Sequence, residues 1–266
     1  MPAERLGVVG YPVAHSLSPQ IQNAALDALG LEGWRFQLLP VPPELFDETV
    51  SALPAAGFRG VSVTVPHKEA ALALAGPATE AAREIGAANT LVFDDGVIEA
   101  DNTDAPGFIA SLPSSPVSGS TALVLGAGGS ARAVAWALRR AGVEVKVWNR
   151  TAERARSLAA DLGVEAVPEP VGAGTLVNCT TAGMEGDPFE VLPITPSALG
   201  EYETVVDLVY ADPEGRLLAA ARASGGQVVD GIEVLVRQGA IALERWTGMP
   251  VPLEVMREAA RQPPGR

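Results

Sequence analysis

Leu123-Val-Leu-Gly126-Ala127-Gly128-Gly129-Ser130-Ala131 reads as a buried strand, a tight glycine turn and the start of a helix. Each position in this G-x-G-x-x-A spacing has a mechanical meaning. Gly126 permits the turn, Gly128 lets a pyrophosphate approach amides at the helix N-terminus, and Ala131 lets the helix lie close on the strand. Without a strand before it and a helix after it the pattern would be a Gly-rich turn and nothing more. Here the helical pattern Ala131–Ala141 follows, then strand Val143–Trp148, helix Ala152–Leu162, strands Leu176–Asn178 and Val205–Val209, a helix near Leu217–Ala223 and strand Val228–Val229. That cadence predicts a doubly wound, Rossmann-type dinucleotide-binding domain.

The end of the second strand selects the dinucleotide. An NAD site would place Asp or Glu there, about 20 residues past the glycines, to hold the adenosine ribose 2′-hydroxyl. The sequence has Asn149-Arg150-Thr151 instead, with Arg154 one turn on. Two guanidiniums and a hydroxyl suit a 2′-phosphate, so NADP is the expected cofactor. Taken without the glycine turn, the two arginines would read as ordinary solvated surface.

Upstream, Leu6–Val9, Phe36–Leu39 and Val61–Val65 read as strands, alternating with helical stretches at Pro19–Leu29, Pro43–Leu53 and from Lys68. This predicts a second, mostly parallel α/β domain. Ser18-Pro19 reads as its first helix start, with Ser18 capping the free amides, and Gly30 as that helix's stop. The densest Pro/Ser/Gly run, Leu112 to Ser120, separates the two alternating regions. The last helix, Gly231 to Trp246, carries a broad apolar face and is expected to return to the first domain. The predicted division is therefore 1–111 with 232–266, and 112–231.

Composition excludes several partners. The 266 residues carry a net charge of −13, with 32 acidic against 19 basic side chains, which repels a polyanion such as nucleic acid. One cysteine, Cys179, rules out an internal disulfide, and neither His15 nor His67 has a second ligand at metal spacing, so no metal is expected. The longest uncharged stretch, Ala105 to Ala131, is broken by prolines, and no membrane partner is expected. The charged start of the chain lacks the pattern of a secretory signal, which points to the cytoplasm. Of the basic residues only Lys68 and Lys146 are lysines, so lysine chemistry has few candidates.

The first region also holds His15-Ser16-Leu-Ser18-Pro19, then Thr64-Val-Pro-His67-Lys68, then Gly86-Ala-Ala-Asn89-Thr90 and Asn102-Thr103-Asp104. Asn178-Cys-Thr-Thr-Ala-Gly-Met184, Asp207-Leu-Val-Tyr210 and Gly231-Ile-Glu-Val-Leu-Val-Arg-Gln238-Gly239 follow the glycine turn. In order and nearly over the whole chain, these motifs resemble those of the shikimate dehydrogenase family. The resemblance implies NADPH-dependent reduction of 3-dehydroshikimate to shikimate, a step of aromatic amino acid biosynthesis. It implies that Ser16 and Ser18, assisted by Tyr210, hold the substrate carboxylate, and that Thr64, Asn89 and Gln238 bind ring hydroxyls. Lys68 and Asp104 match the pair flanking the reacting oxygen, and Gly231 falls with the cofactor-binding residues.

Hydride transfer to a ketone leaves negative charge on oxygen, which a nearby cation stabilises and a proton donor quenches. Lys68 can serve both ends and Asp104 can orient it; the sequence leaves open which of the two gives up the proton. A lone lysine after Val-Pro-His would ordinarily be a solvated helix-start residue, and its place among four motifs, as one of only two lysines, argues otherwise. Departures from the family pattern are Gln22 for a common His, Ser62 for Asn, Ala100 for Gly and Val234 for Met. Gln22 keeps an NAD-dependent quinate/shikimate dehydrogenase open as the alternative, while Asn149-Arg150-Thr151 opposes it. A nucleotide-binding regulator without turnover is a third reading, against which Lys68 and Asp104 stand. A monomer or a homodimer is expected.

Overall fold

The computed structural model describes residues 4–210 and 215–262. The chain forms two compact units, one running up to Gly107 and resuming at Val236, the other Phe108–Leu235. The sequence reading divides the chain at 111/112 and 231/232.

In the first unit, strands β1 (Arg5–Gly10), β2 (Arg35–Pro40), β3 (Phe58–Val63), β4 (Thr90–Asp94) and β5 (Val97–Asp101) form one sheet in the order β2-β1-β3-β4-β5. The pairs β1–β2 and β1–β3 are parallel, whereas β3–β4 and β4–β5 are antiparallel. Only β4 therefore runs against the others, which keeps the sheet mostly parallel in direction. The helices are α1 (Ser18–Ala28), α2 (Phe46–Ala52), α3 (Lys68–Leu74) and α4 (Glu80–Ile85), followed by α5 (Asp104–Ser111). Val9, Phe46, Val50, Val61, Val63, Ala71 and Leu91 share one buried cluster, so β1 and β3 present alternate residues to α2 and α3.

Ser18 does not cap α1. It lies inside the first turn, Leu17 is the cap position without a side-chain bond, and Ser16 Oγ instead accepts from the Ser18 amide at 3.3 Å. Gly30, at φ 70°, follows the helix end and its amide reaches back to Asp27 O, as a left-handed stop requires. β3 ends two residues earlier than the apolar run suggests, because the chain turns at Thr64 towards Pro66.

In the second unit, β6 (Thr121–Leu125), β7 (Glu144–Trp148), β8 (Glu165–Ala166), β9 (Thr175–Asn178), β10 (Thr204–Asp207) and β11 (Gln227–Val229) are all parallel, in the order β11-β10-β9-β6-β7-β8. The helices are α6 (Gly129–Arg140), α7 (Ala152–Leu162) and α8 (Arg216–Ala223). β6 connects onward to β7 on one side and is flanked by β9 on the other. That reversal is the topological switch point at which such sheets bind ligands.

Helix α9 (Gly231–Thr247) begins in the second unit and ends in the first, and α10 (Leu253–Arg261) closes the chain. The expected return of α9 is anchored within the first unit: Trp246 Nε1 donates to Leu91 O at 3.0 Å, and its ring lies 6.1 Å from that of Phe36. Among the described residues no helix is long and apolar enough to cross a membrane.

Candidate active site

The carboxyl ends of β1 and β3 lie side by side and carry the first group of predicted residues. The Thr64 amide extends the ladder by donating to Val9 O at 2.9 Å, and the Tyr11 amide donates to Val65 O at 3.0 Å. Gly10 permits this approach: a Cβ there would fall 2.4 Å from Thr64 Cγ2. Thr64 O then accepts from the His67 amide at 3.0 Å, which turns the chain into α3 and makes Lys68 its first residue. The His67 ring is buried, stacked on Phe46 at 4.6 Å, with Nε2 2.8 Å from Val41 O. His67 therefore secures the start of the helix that carries Lys68.

Asp104 arrives at Lys68 from the other edge of the sheet, as the first residue of α5. Lys68 Nζ donates to Asp104 Oδ2 at 2.6 Å, with only 11% and 17% of the two side chains exposed. The second oxygen, Asp104 Oδ1, accepts from Asn89 Nδ2 at 2.9 Å. Both carboxylate oxygens thus receive hydrogens from donors, the arrangement of an ionised acid paired with an ammonium. Asn89 Nδ2 also lies 2.9 Å from Thr103 Oγ1 and 3.1 Å from Gln238 Oε1, so its two hydrogens serve three acceptors.

The support beneath this group comes from residues to which the sequence assigned no role. Asn89 Oδ1 accepts from the Thr103 amide at 2.7 Å, and the hydroxyls of Thr90 and Thr103 are 3.1 Å apart. Asn102 Nδ2 donates to Ala87 O at 2.9 Å while its Oδ1 accepts from the Ala105 amide at 3.2 Å, which holds the first turn of α5. The two Asn-Thr pairs, 89–90 and 102–103, interlock, and their repetition in sequence was the available signal. Gly107 is a second unassigned residue: a Cβ there would lie 2.6 Å from Gln238 Cα, so only glycine lets α5 and α9 approach closely enough for Gln238 to reach Asn89. Gln22, buried at 2% exposure, joins α1 to α9 through Nε2 and Gly239 O at 2.9 Å, next to Gln238.

Lys68, Asn89, Asp104 and Gln238 are joined directly by hydrogen bonds. Thr64, half-buried Ser16 and buried Ser18 lie at or just beyond the same carboxyl edge of the sheet, while His15 is exposed. Tyr210 belongs to the second unit, three residues past the end of β10.

In the second unit, Gly126 has φ 113°, a value side chains rarely adopt, and its amide donates to Trp148 O at 2.8 Å. Gly128 is exposed, precedes α6 in extended conformation, and has nothing within 4 Å of where a Cβ would project. Half-buried Ala127, Gly129 and Ser130 flank it, and fully buried Ala131 packs the first turn of α6. The cap position of α6 is Gly128 itself, which has no side chain to cover the helix start. At the end of β7, Asn149 Nδ2 donates to Thr151 O at 2.9 Å, and Thr151 starts α7. Arg150 and Arg154 are exposed and make no ion pair among the described residues. An open glycine at a helix start and two exposed guanidiniums fit a 2′-phosphorylated dinucleotide. Gly231 has a packing reason of its own, since a Cβ there would lie 2.6 Å from Leu208 O. Cys179 is half-buried, less enclosed than a small core residue would be.

Comparison with known proteins agrees over the whole chain. Family models match for the shikimate dehydrogenase substrate binding domain at residues 8–91, shikimate / quinate 5-dehydrogenase at 109–171 and the shikimate 5'-dehydrogenase C-terminal domain at 231–261. A shikimate dehydrogenase (NADP(+)) of Methylobacterium radiotolerans is 47% identical over 261 residues, 92% of this chain and 91% of that protein. The crystal structure of a Thermus thermophilus shikimate 5-dehydrogenase in complex with NADP(H) and shikimate is 43% identical, covers 97% of this chain and 98% of its own, and superposes with a TM-score of 0.85. That of the Aquifex aeolicus shikimate dehydrogenase is 36% identical with a TM-score of 0.91, covering 98% of both chains. With two α/β units, a glycine turn at a switch point and relatives matched end to end, the chain belongs to the shikimate dehydrogenase family.

Proposed function

We propose that the protein catalyses the reversible NADPH-dependent reduction of the C3 ketone of 3-dehydroshikimate to shikimate, with Lys68 and Asp104 at the reacting oxygen. The single observation that carries this reading is the mostly buried Lys68–Asp104 contact at 2.6 Å, tied through Asn89 to Gln238. An ion pair with so little exposure is costly to desolvate and adds little to stability, so its retention on a ring of hydrogen-bonding side chains is that of a working site.

NADPH, when bound, supplies the hydride. The Lys68 ammonium stabilises the negative charge that develops on the C3 oxygen and donates a proton to it. Asp104 accepts hydrogens at both oxygens and has none to give, so it orients Lys68 and accepts from a substrate hydroxyl. In the oxidative direction the deprotonated lysine takes the hydroxyl proton. Asn89 and Gln238 share a hydrogen bond that can be exchanged for bonds to ring hydroxyls, with Thr64 alongside. Ser16, Ser18 and Tyr210 hold the substrate carboxylate. The dinucleotide pyrophosphate is held by the turn Gly126 to Ala131, its 2′-phosphate by Arg150 and Arg154 with Asn149 and Thr151, and Gly231 borders the same site. The protein works as a monomer or homodimer in the cytoplasm, without nucleic acid or membrane partners.

Steady-state rates with shikimate or quinate, each against NADP and NAD, test the assignment. Turnover is expected with shikimate and NADP above the other three combinations. Activity confined to quinate with NAD would overturn it.

A further inference from the structure

Asn178 and Asp207 end the neighbouring strands β9 and β10, directly opposite one another in the ladder. Both side chains are buried and both fold back on their own loops. Asn178 Oδ1 accepts from the Thr180 amide at 3.1 Å and from Thr180 Oγ1 at 2.7 Å; Asp207 Oδ1 accepts from the Val209 amide at 3.1 Å. The two side chains also meet: Asn178 Nδ2 donates to Asp207 Oδ1 at 2.9 Å and to Ala182 O at 3.1 Å. With the Leu208 amide on Asn178 O at 3.0 Å, segments 178–182 and 207–209 become one hydrogen-bonded body.

The place of this body decides what it can do. The Cys179 amide donates to Leu125 O at 2.8 Å, and a Cβ on Gly126 would come within 3.1 Å of Cys179 O. The body therefore abuts the glycine turn on the side away from β7. Arg150 and Arg154, at the end of β7, mark the adenosine side of a dinucleotide laid across the switch point, so the other half extends over β9 and β10. The Lys68 reaction uses neither Asn178 nor Asp207.

We propose that the Asn178–Asp207 pair is a positioning device: it locks the strand-end segments 178–182 and 207–209 into the platform that orients the nicotinamide half of the cofactor. The proposal rests on the NADP reading given above. Removing either side chain leaves buried donors unsatisfied and frees both segments, while the adenosine side is untouched.

The test compares affinities for NADP+ and for adenosine 2′,5′-bisphosphate, which carries only the adenosine side, together with kcat. In Asn178→Ala and Asp207→Ala the affinity ratio of NADP+ to bisphosphate and kcat should each fall about tenfold or more, with bisphosphate affinity kept within about twofold. Asp207→Asn keeps an oxygen for both donors and should stay within about threefold of wild type. Should the alanine variants fail to fold, Asn178→Asp sets two carboxylates face to face and should lower the ratio, and adding Asp207→Asn should restore part of it. An unchanged ratio in these variants, or bisphosphate affinity falling in step with kcat, overturns the positioning role. A wild-type protein that binds both nucleotides without reducing 3-dehydroshikimate refutes the substrate reading alone, whereas binding of neither sinks both.

Discussion

At the scale of single residues, the proposed function gives Lys68 and Arg150 opposite kinds of work. Lys68 is enclosed, and its contribution grows as charge appears on the substrate. Lys68→Ala should therefore lower kcat by about a thousandfold. Rapid-mixing and equilibrium-binding measurements should show shikimate affinity changed far less; a variant retaining most of its turnover would refute the role. On the proposed function, Arg150 and Arg154 act on a group remote from the chemistry, with charge-assisted bonds of about 1.5–3 kcal/mol each. Replacing both with Ala should raise the KM for NADP about a hundredfold or more while leaving that for NAD nearly unchanged. An equal effect on both cofactors would mean the guanidiniums do not meet the 2′-phosphate. These residues were legible as candidates because lysine is scarce and because a strand end without a carboxylate is informative. Asn102 and Thr103 showed only as a repeated Asn-Thr pair, because what they do depends on partners brought close by folding, and nothing local distinguishes Gly107 from a poor helix former.

At the scale of elements, long periodic helices and central strands were readable from apolar spacing. The hairpin β4–β5 was missed although its signal is local. Asp95-Gly96 joins the strands, both residues have positive φ, and Asp94 pairs with Val97, the two-residue turn that Asp-Gly favours. β8 has only two residues, too few to show a period. The close passage of α5 over α9 gives an element-level prediction. Gly107→Ala improves helix propensity by about 1 kcal/mol, but the added methyl meets Gln238 backbone and overpacking costs about 1–3 kcal/mol. The helices must separate, so the bond from Asn89 to Gln238 should lengthen and the KM for shikimate should rise with little change in that for NADP. Equal KM values for variant and wild type would show that α9 gives way without disturbing the site.

At the scale of the whole molecule, stability should carry the mark of Asp207. Burial raises its carboxyl from 3.8 to about 6, against the lowering effect of its bonds to Val209 and Asn178. A folded state that holds its proton more tightly than the unfolded chain is favoured below about pH 4, and the advantage is lost as pH rises through about 6. The whole effect is about 3 kcal/mol at about 1.4 kcal/mol per unit. Tm measured between pH 4 and 7 should therefore decline more steeply in wild type than in Asp207→Asn, and parallel curves would contradict the burial argument. Net charge is silent about this one acid, because composition records how many carboxyls there are and not which one the fold encloses.

The division of the chain into a first unit built from both ends and a second built from the middle has a consequence for biosynthesis. Residues leave the ribosome in order, at about 5–20 per second, and domains fold as their segments become available. The middle unit is contiguous and can close on itself as soon as it emerges. The unit bearing Lys68 and Asp104, though its first segment precedes the middle unit, waits for Gln238 and Trp246, which follow that unit in the chain. A chain cut short before Val236 would thus yield a completed middle unit attached to a sheet whose Leu91 carbonyl lacks Trp246 and whose Asn89 amide keeps Thr103 and Asp104 but lacks Gln238.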